Sequence, residues 1–112
     1  MEIKIDKDGR NMVVLIKGEI DHHTAEEIRE KIEKEYSRSN IKNIIFDFKD
    51  VTFMDSSGVG MVIGRYKTIS KNGGSVAVSG IRESAFRIFE ISGLKKILNL
   101  YGNAKEAMAV FK

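Results

Sequence analysis

The chain has 112 residues, of which 42% are hydrophobic and 31% charged, and these proportions are ordinary for one soluble globular domain. It contains no cysteine, which excludes disulfides, thiol catalysis and cysteine-ligated metals. The net charge is +3, from 19 basic and 16 acidic residues that interleave along the chain. This balance favours a mixed, solvated surface over a nucleic-acid interface.

The amino terminus alternates charged and apolar residues and lacks the apolar core of a signal peptide. No run along the chain is long and apolar enough for a transmembrane helix. Proline is absent, and no repeat, linker or low-complexity tract interrupts the sequence. We therefore expect one cytoplasmic domain over residues 1–112, without contact to a membrane.

The first part of the chain predicts a hairpin and a helix. Residues 3–6 and the β-branched run 12–16 flank a turn at 7–11. Gly18–Asp21 breaks the strand pattern, and a helix is expected from about His23 to Ser37. Its apolar stripe comprises Ala25, Ile28, Ile32 and Tyr36, and Thr24 with Glu27 matches a capping box.

The middle of the chain predicts a buried strand at 44–48, a polar loop at 49–52 and a second helix. Asp55-Ser56-Ser57 signals the start of that helix, because these side-chain oxygens can accept unpaired backbone N–H groups. Asn72-Gly73-Gly74 ends it. Its apolar stripe comprises Val59, Val62, Ile63, Tyr66 and Ile69.

The last part of the chain predicts a buried strand at 76–78, a helix at about 83–92 and a short edge strand at 97–100. Gly93 is typical of a glycine that ends a helix, with Leu94 as its hydrophobic contact. Asn103 is expected to cap a last helix. The third helix presents Ala85, Ile88, Phe89 and Ile91 as its apolar residues.

The order of elements is ββαβαβα(β)α, which predicts an α/β fold with a mixed sheet. Right-handed crossovers place successive helices on one face unless the strand order reverses. Functional residues in such sheets collect where strands end and helices begin. Three junctions qualify, at Gly18–His23, Asp50–Gly58 and Ser79–Arg82.

Two adjacent serines at the middle junction, Ser56 and Ser57, exceed what a helix cap requires. The positive end of the helix dipole favours an added phosphate there. Phosphorylation would change the surface charge by about −1.5 to −2, and Asp55 would add repulsion towards an acidic partner. A plain helix cap, with small residues for close packing, is the alternative that these residues alone leave open.

Other kinds of site have weaker support. Gly58-x-Gly60-x-x-x-Gly64 loosely matches a dinucleotide-binding fingerprint, but its spacing differs by one residue, it follows a predicted loop, and no P-loop lysine accompanies it. Asp21-His22-His23-Thr24 lacks a third metal ligand nearby. Ser56, a histidine and Asp21 suggest a triad, yet no serine stands in a Gly-x-Ser-x-Gly elbow. We therefore expect no catalysis, no metal and no cofactor.

Four segments taken together resemble the STAS-domain anti-sigma factor antagonists. They are Gly18-Glu19-Ile20-Asp21-His22-His23-Thr24-Ala25-Glu26, Phe53-Met54-Asp55-Ser56-Ser57-Gly58-Val59-Gly60, Gly64-Arg65-Tyr66-Lys67 and Ile91-Ser92-Gly93-Leu94. They follow the family's order over nearly the whole chain. The resemblance implies a mixed sheet of four to five strands with helices mainly on one face.

The resemblance also implies a mechanism of partner switching. The unphosphorylated protein would bind an anti-sigma factor that is also a serine kinase, with ATP or ADP bound to that partner, and would thereby free the sigma factor. The kinase would phosphorylate the antagonist and end the binding, and a serine phosphatase would reverse this. A sporulation sigma factor is the expected beneficiary. A general stress-response antagonist of the same fold is the alternative.

The family's functional residues carry over one by one. Ser56 is the expected phosphoacceptor, flanked by Asp55 and Ser57. Gly58 and Gly60 are expected to permit close backbone approach. The other expected partner-binding residues are Glu19, Asp21, His22, His23 and Val59, of which the two acids would meet basic residues of the kinase.

Overall fold

Five strands form one mixed sheet whose order in space is their order along the chain. The strands are β1 (Glu2–Asp8), β2 (Asn11–Ile20), β3 (Asn43–Met54), β4 (Val76–Ser79) and β5 (Asn99–Tyr101). β1 pairs with β2 in antiparallel orientation, and all later neighbours are parallel. The structure is a computed structural model that describes residues 1–111.

The helices lie mainly on one face of this sheet, as the sequence predicted. They are α1 (His22–Arg38), α2 (Ser56–Lys71), α3 (Glu83–Ser92), α4 (Leu94–Ile97) and α5 (Ala104–Val110). Because the strands are added in chain order, right-handed crossovers place α1, α2 and α3 on the same side. The last helix, α5, returns to the opposite face, where Ala107 packs with Ile45 and Ala77.

The main core lies between the sheet and the first three helices. Its rings interlock at β3: the Phe48 ring centroid is 5.5 Å from that of Phe46 and 6.1 Å from that of Phe89 on α3. All three side chains are fully buried. Each such side chain stabilises the fold by about 1.5–3 kcal/mol relative to exposure, so this cluster fixes α3 against the sheet.

Strands β2 and β3 are longer than predicted. Gly18–Asp21 does not end the strand, because Gly18 adopts a φ of 119° and the ladder shifts register between Gly18 and Glu19, a bulge that lets pairing continue to Ile20. Residues 49–52, predicted as a loop, belong to β3, with Val51 fully buried. The two strands therefore extend as a ribbon beyond the end of β4.

The start of α1 agrees with the prediction to within one residue, but its capping box was predicted wrongly. The helix begins at His22, and its capping box joins Asp21 to Thr24 instead of Thr24 to Glu27. The Asp21 carboxylate accepts from the Thr24 backbone at 3.0 Å, and the Thr24 hydroxyl accepts from the Asp21 backbone at 2.7 Å. A threonine at the third helical position replaces the usual glutamate, so the standard pattern pointed three residues too far along.

The part of the chain after Glu83 agrees with the sequence predictions in its helix caps and differs from them in three other features. The caps at Gly93, with a φ of 81°, and at Asn103, whose side chain accepts from the Glu106 backbone, confirm the predictions. The short helix α4 was not predicted, and the last strand begins at Asn99, because residues 94–97 close one more helical turn. Ile91 is 74% exposed and does not belong to the core, since it lies off the stripe that Ala85 and Phe89 define.

Within residues 1–111, no helix combines the length and apolar character needed to cross a bilayer. The same residues contain no group of three histidine, aspartate or glutamate side chains placed to hold a metal ion.

Candidate functional site

The first two strand-to-helix junctions lie side by side. Ile20 and Met54, the last residues of β2 and β3, are in register, and the Asp55 backbone donates to the Ile20 carbonyl at 3.2 Å. Asp21 and Asp55 therefore follow the two strand ends at the same level of the sheet. The sequence singled out both junctions separately, and the structure joins them into one surface.

Both helices begin with the same device. The Asp55 carboxylate accepts from the Ser57 backbone at 2.8 Å, as the Asp21 carboxylate does from Thr24. The two helices follow parallel strands, so their positive dipole ends lie together at this edge. Hydrogen bonds from the Thr24 backbone and hydroxyl hold the pKa of Asp21 below its ordinary value, so this carboxylate stays charged at neutral pH.

Ser56 is the first residue of α2 and is exposed. Ser57 is half-buried and gives its backbone N–H to the Asp55 cap. Neither serine hydroxyl makes a hydrogen bond with another described residue in the structure. The cap therefore uses Asp55 and leaves the Ser56 hydroxyl available for reaction.

The two glycines of this segment occupy different surroundings. A β-carbon at Gly58 would lie 2.5 Å from Cγ of Met54 and 3.0 Å from Cγ2 of Ile20, so glycine permits close packing there. A β-carbon at Gly60 would meet no atom within 4 Å. Of these two positions, packing against the described residues requires glycine at 58 and not at 60. Val59, between them, is buried in the main core.

The two histidines at the start of α1 are exposed, and their ring centroids lie 5.8 Å apart in an edge-to-face arrangement. Among the described residues, no hydrogen bond joins either histidine to Ser56 or Ser57. The triad considered from the sequence is therefore not assembled in this structure. His22 instead lines a groove between α1 and α2 that Ser57 also borders.

The structure adds one residue that the sequence did not single out. Phe53 is 47% exposed and lies in register with Glu19 at the end of the β2–β3 ribbon. Two consecutive exposed residues, Thr52 and Phe53, precede buried Met54, so strict alternation fails there. In the sequence, the signal that could have identified it is an aromatic residue two positions before the helix cap at Asp55.

One sequence argument against a nucleotide site is wrong, because β3 runs directly into α2 without a loop. The glycine spacing and the missing P-loop lysine are unchanged by this.

Comparison with known proteins places these features in a family. The model of the STAS domain matches residues 2–107. The chain is 34% identical to the anti-sigma F factor antagonist of Paenibacillus polymyxa, over 96% of this chain and 92% of that protein. It is 37% identical to the anti-sigma-B factor antagonist of Bacillus subtilis, over 89% of this chain and 92% of that protein.

Solved structures of anti-sigma factor antagonists have the same fold. The anti-sigma factor antagonist SpoIIAA in its unphosphorylated form superposes with a TM-score of 0.85 at 30% identity, covering 96% of this chain and 93% of that one. The phosphorylated form of SpoIIAA gives a TM-score of 0.79 at 29% identity, over 99% and 100% of the two chains. The mixed five-stranded sheet is thus that of SpoIIAA, and the chain belongs to the STAS domain family.

Proposed function

We propose that this chain is an anti-sigma factor antagonist whose binding to an anti-sigma kinase is switched off by phosphorylation of Ser56. The proposal rests on the exposed Ser56 hydroxyl, which lies at the edge where two helix starts meet and makes no hydrogen bond with another residue of 1–111. Relatives of nearly full length that are named anti-sigma factor antagonists support it. Residues 1–112 would act as one domain.

The proposed contact surface, called the switch surface, comprises Glu19, Asp21, His22, His23, Asp55, Ser56, Ser57 and Gly60. Gly58 and Val59, which the resemblance implied as partner-binding residues, are buried and would support this surface from the core. Phe53 adds an apolar contact beside Glu19. The switch surface would dock on the kinase with the Ser56 hydroxyl facing the nucleotide bound to that kinase. An added phosphate would find a helix N-terminus beneath it, so the fold needs no rearrangement. The charge would instead disrupt the complex.

ATP or ADP belongs to the partner in this proposal, and a serine phosphatase would restore the antagonist. The chain itself would bind no nucleic acid and catalyse no reaction. Relatives named for sigma F and for sigma B occur at similar identity, so a sporulation factor and a general stress factor are both candidate beneficiaries. We favour the sporulation factor, because its antagonist matches over the greater share of this chain.

A reconstituted reaction tests the function. The purified chain should gain the mass of one phosphate when incubated with ATP and a cognate anti-sigma kinase, and no mass when either is omitted. Peptide mapping should place the phosphate on Ser56. Phosphate on Ser57, or no stable complex with any anti-sigma kinase from the source organism, would contradict the proposal.

The two acids of the first junction should contribute charge to binding. Glu19→Gln and Asp21→Asn should each weaken association up to about fivefold, mainly through a slower on-rate, because exposed ion pairs contribute little. The effect should shrink with added salt. Surface plasmon resonance at several salt concentrations measures both quantities.

Asparagine is the required replacement at position 21, because Asp21 caps α1 and asparagine caps equally well. Asp21→Ala would mix loss of charge with loss of the cap. Lys71→Gln, at the far end of α2, serves as a charge control. Equal on-rates for wild type and both acid variants would remove Glu19 and Asp21 from the interface.

A further inference from the structure

A groove of about 260 Å³ runs between α1 and α2 behind the switch surface. His22 and Ser57 border it near the helix starts, and Arg29, Gly60 and Arg65 line it further along. Gly60 leaves the space above it open, since a β-carbon there would meet no atom within 4 Å. The groove is thus continuous with the proposed contact surface and accessible from it.

Arg65 is the unusual member of this groove. The residue is only 8% exposed, although it carries a positive charge. Its Nη2 lies 3.1 Å from Oε2 of Glu33, while its Nε and Nη1 are buried without a hydrogen-bond partner among the described residues. Burial lowers the pKa of Arg65. Buried unpaired donors are rare in native proteins and call for an explanation.

The neighbouring acids do not supply the missing acceptors. Arg29 takes both oxygens of Glu26 through Nε and Nη2 and one oxygen of Glu33 through Nη1. Glu33 therefore divides its carboxylate between Arg29 and Arg65. Arg29 is fully engaged by two carboxylates, whereas Arg65 shares a single one. Arg65 therefore lacks one further acceptor group for its buried donors.

We propose that the groove receives an aspartate or glutamate side chain of the protein partner, which pairs with Arg65 when the complex forms. This inference rests on the proposed function, because the partner is the anti-sigma kinase. A carboxylate offers two acceptors in the planar arrangement that a guanidinium matches with two parallel bonds. This pairing requires the Arg65 side chain to turn so that Nη1, which is buried in the structure, faces the groove.

The occupant is a carboxylate because of what surrounds it. The groove lies beside the positive ends of two helix dipoles, which disfavour a cation. Glu26 also lines the groove, but both of its carboxylate oxygens already accept hydrogen bonds from Arg29. An apolar side chain would leave both Arg65 donors unpaired and remove them further from water. The switch surface thus presents acids at Glu19 and Asp21, and the adjoining groove holds a buried cation, Arg65, further along α2. One partner that contacts both would need basic groups for the surface and an acidic group for the groove.

Arg65→Met is the main test, with Lys67→Met as the matched control. Both changes remove one positive charge from α2, but Lys67 is exposed and does not line the groove. Arg65→Met should weaken kinase binding at least about 30-fold, whereas Lys67→Met should leave it within about twofold. The melting temperature of Arg65→Met should not fall, because methionine fills the site without burying unpaired donors.

Two further variants separate charge from geometry. Arg65→Lys keeps the charge but loses the planar fork, so its binding should lie between wild type and Arg65→Met. Glu33→Gln releases Arg65 from its one acid and should bind at least as tightly as wild type. A second experiment needs no partner: the chain is titrated with sodium acetate at constant ionic strength, and the NMR resonances of the Ser57 and Gly60 amides are followed. Saturable shifts are expected in wild type and absent in Arg65→Met.

The outcomes distinguish this inference from the function on which it rests. If wild type binds the kinase and is phosphorylated, but Arg65→Met binds equally and melts at a lower temperature, Arg65 is a clamp between the helices and the inference is wrong. If wild type fails to bind, the proposed function is wrong. The acetate titration then tests separately whether the groove binds a carboxylate. Absence of acetate shifts in that case also overturns the groove as a carboxylate site.

Discussion

Ser56→Asp is expected to weaken association with the anti-sigma kinase by about 100-fold. The carboxylate introduces a charge at the centre of the switch surface, beside the half-buried carboxylate of Asp55. Burying this charge without a cation on the partner costs several kcal/mol. A loss of about 2.7 kcal/mol in binding free energy is enough to lower the affinity by two orders of magnitude. Isothermal titration calorimetry with the kinase in its nucleotide-bound form measures the loss. Phosphate, with roughly twice the charge of aspartate, should weaken binding further.

Two alanine variants serve as controls for this result. Ser56→Ala should bind as the unphosphorylated wild type does and accept no phosphate, because the exposed hydroxyl has no partner within the described chain. Ser57→Ala should still be phosphorylated at Ser56, since the Asp55 cap uses the Ser57 backbone and not its hydroxyl. Equal affinities for wild type, Ser56→Ala and Ser56→Asp would refute the switch.

Gly58→Ala is expected to destabilise the fold by about 1–3 kcal/mol. Its β-carbon would overlap Cγ of Met54 and crowd Ile20, and both of these side chains are buried at the strand ends beneath α2. In a domain of this size each kcal/mol lowers the melting temperature by about 4–8 °C. Urea unfolding followed by circular dichroism gives the free energy of unfolding directly.

Gly60→Ala, two residues along the same helix, is the matched control. It should raise stability by about 0.5–1 kcal/mol, because nothing crowds the new methyl group and alanine favours the helix. In addition, Met54→Ala should suppress part of the cost of Gly58→Ala in the double variant, since it removes the atoms that clash. Equal destabilisation by both glycine substitutions would indicate a general loss of helix flexibility and not a steric contact.

Most of the fold could be predicted from the sequence, because its helices and strands have clear patterns of apolar residues. The stripe Ala25, Ile28 and Ile32 marked α1, and short apolar runs at 12–16 and 44–48 marked the central strands. Glycine and asparagine caps at Gly93 and Asn103 fixed helix ends, because few residue types satisfy those backbone positions. The order of elements then determined which face the helices occupy.

The sequence failed where three-dimensional pairing overrides local preference. The polar residues 49–52 lie in a strand because β2 supplies partners for their backbone groups, which the local pattern does not show. Arg65 is a charged residue, which the sequence pattern places on the helix surface, and the packing of α1 against α2 buries it. The two junctions of the site were each predicted, but their contact through Ile20 and Asp55 depends on a bulge at Gly18.

Because each strand of the sheet lies next to the strand made just before it, the sheet can extend at one edge while the chain leaves the ribosome. No later segment has to insert between strands that are already paired. The helix α5 differs from the strands in this respect, because it packs on Ile45 of β3 and Ala77 of β4, which are synthesised much earlier. Until α5 is synthesised, the nascent domain exposes an apolar patch at Ile45 and Ala77, so this face of the sheet becomes buried only when α5 docks.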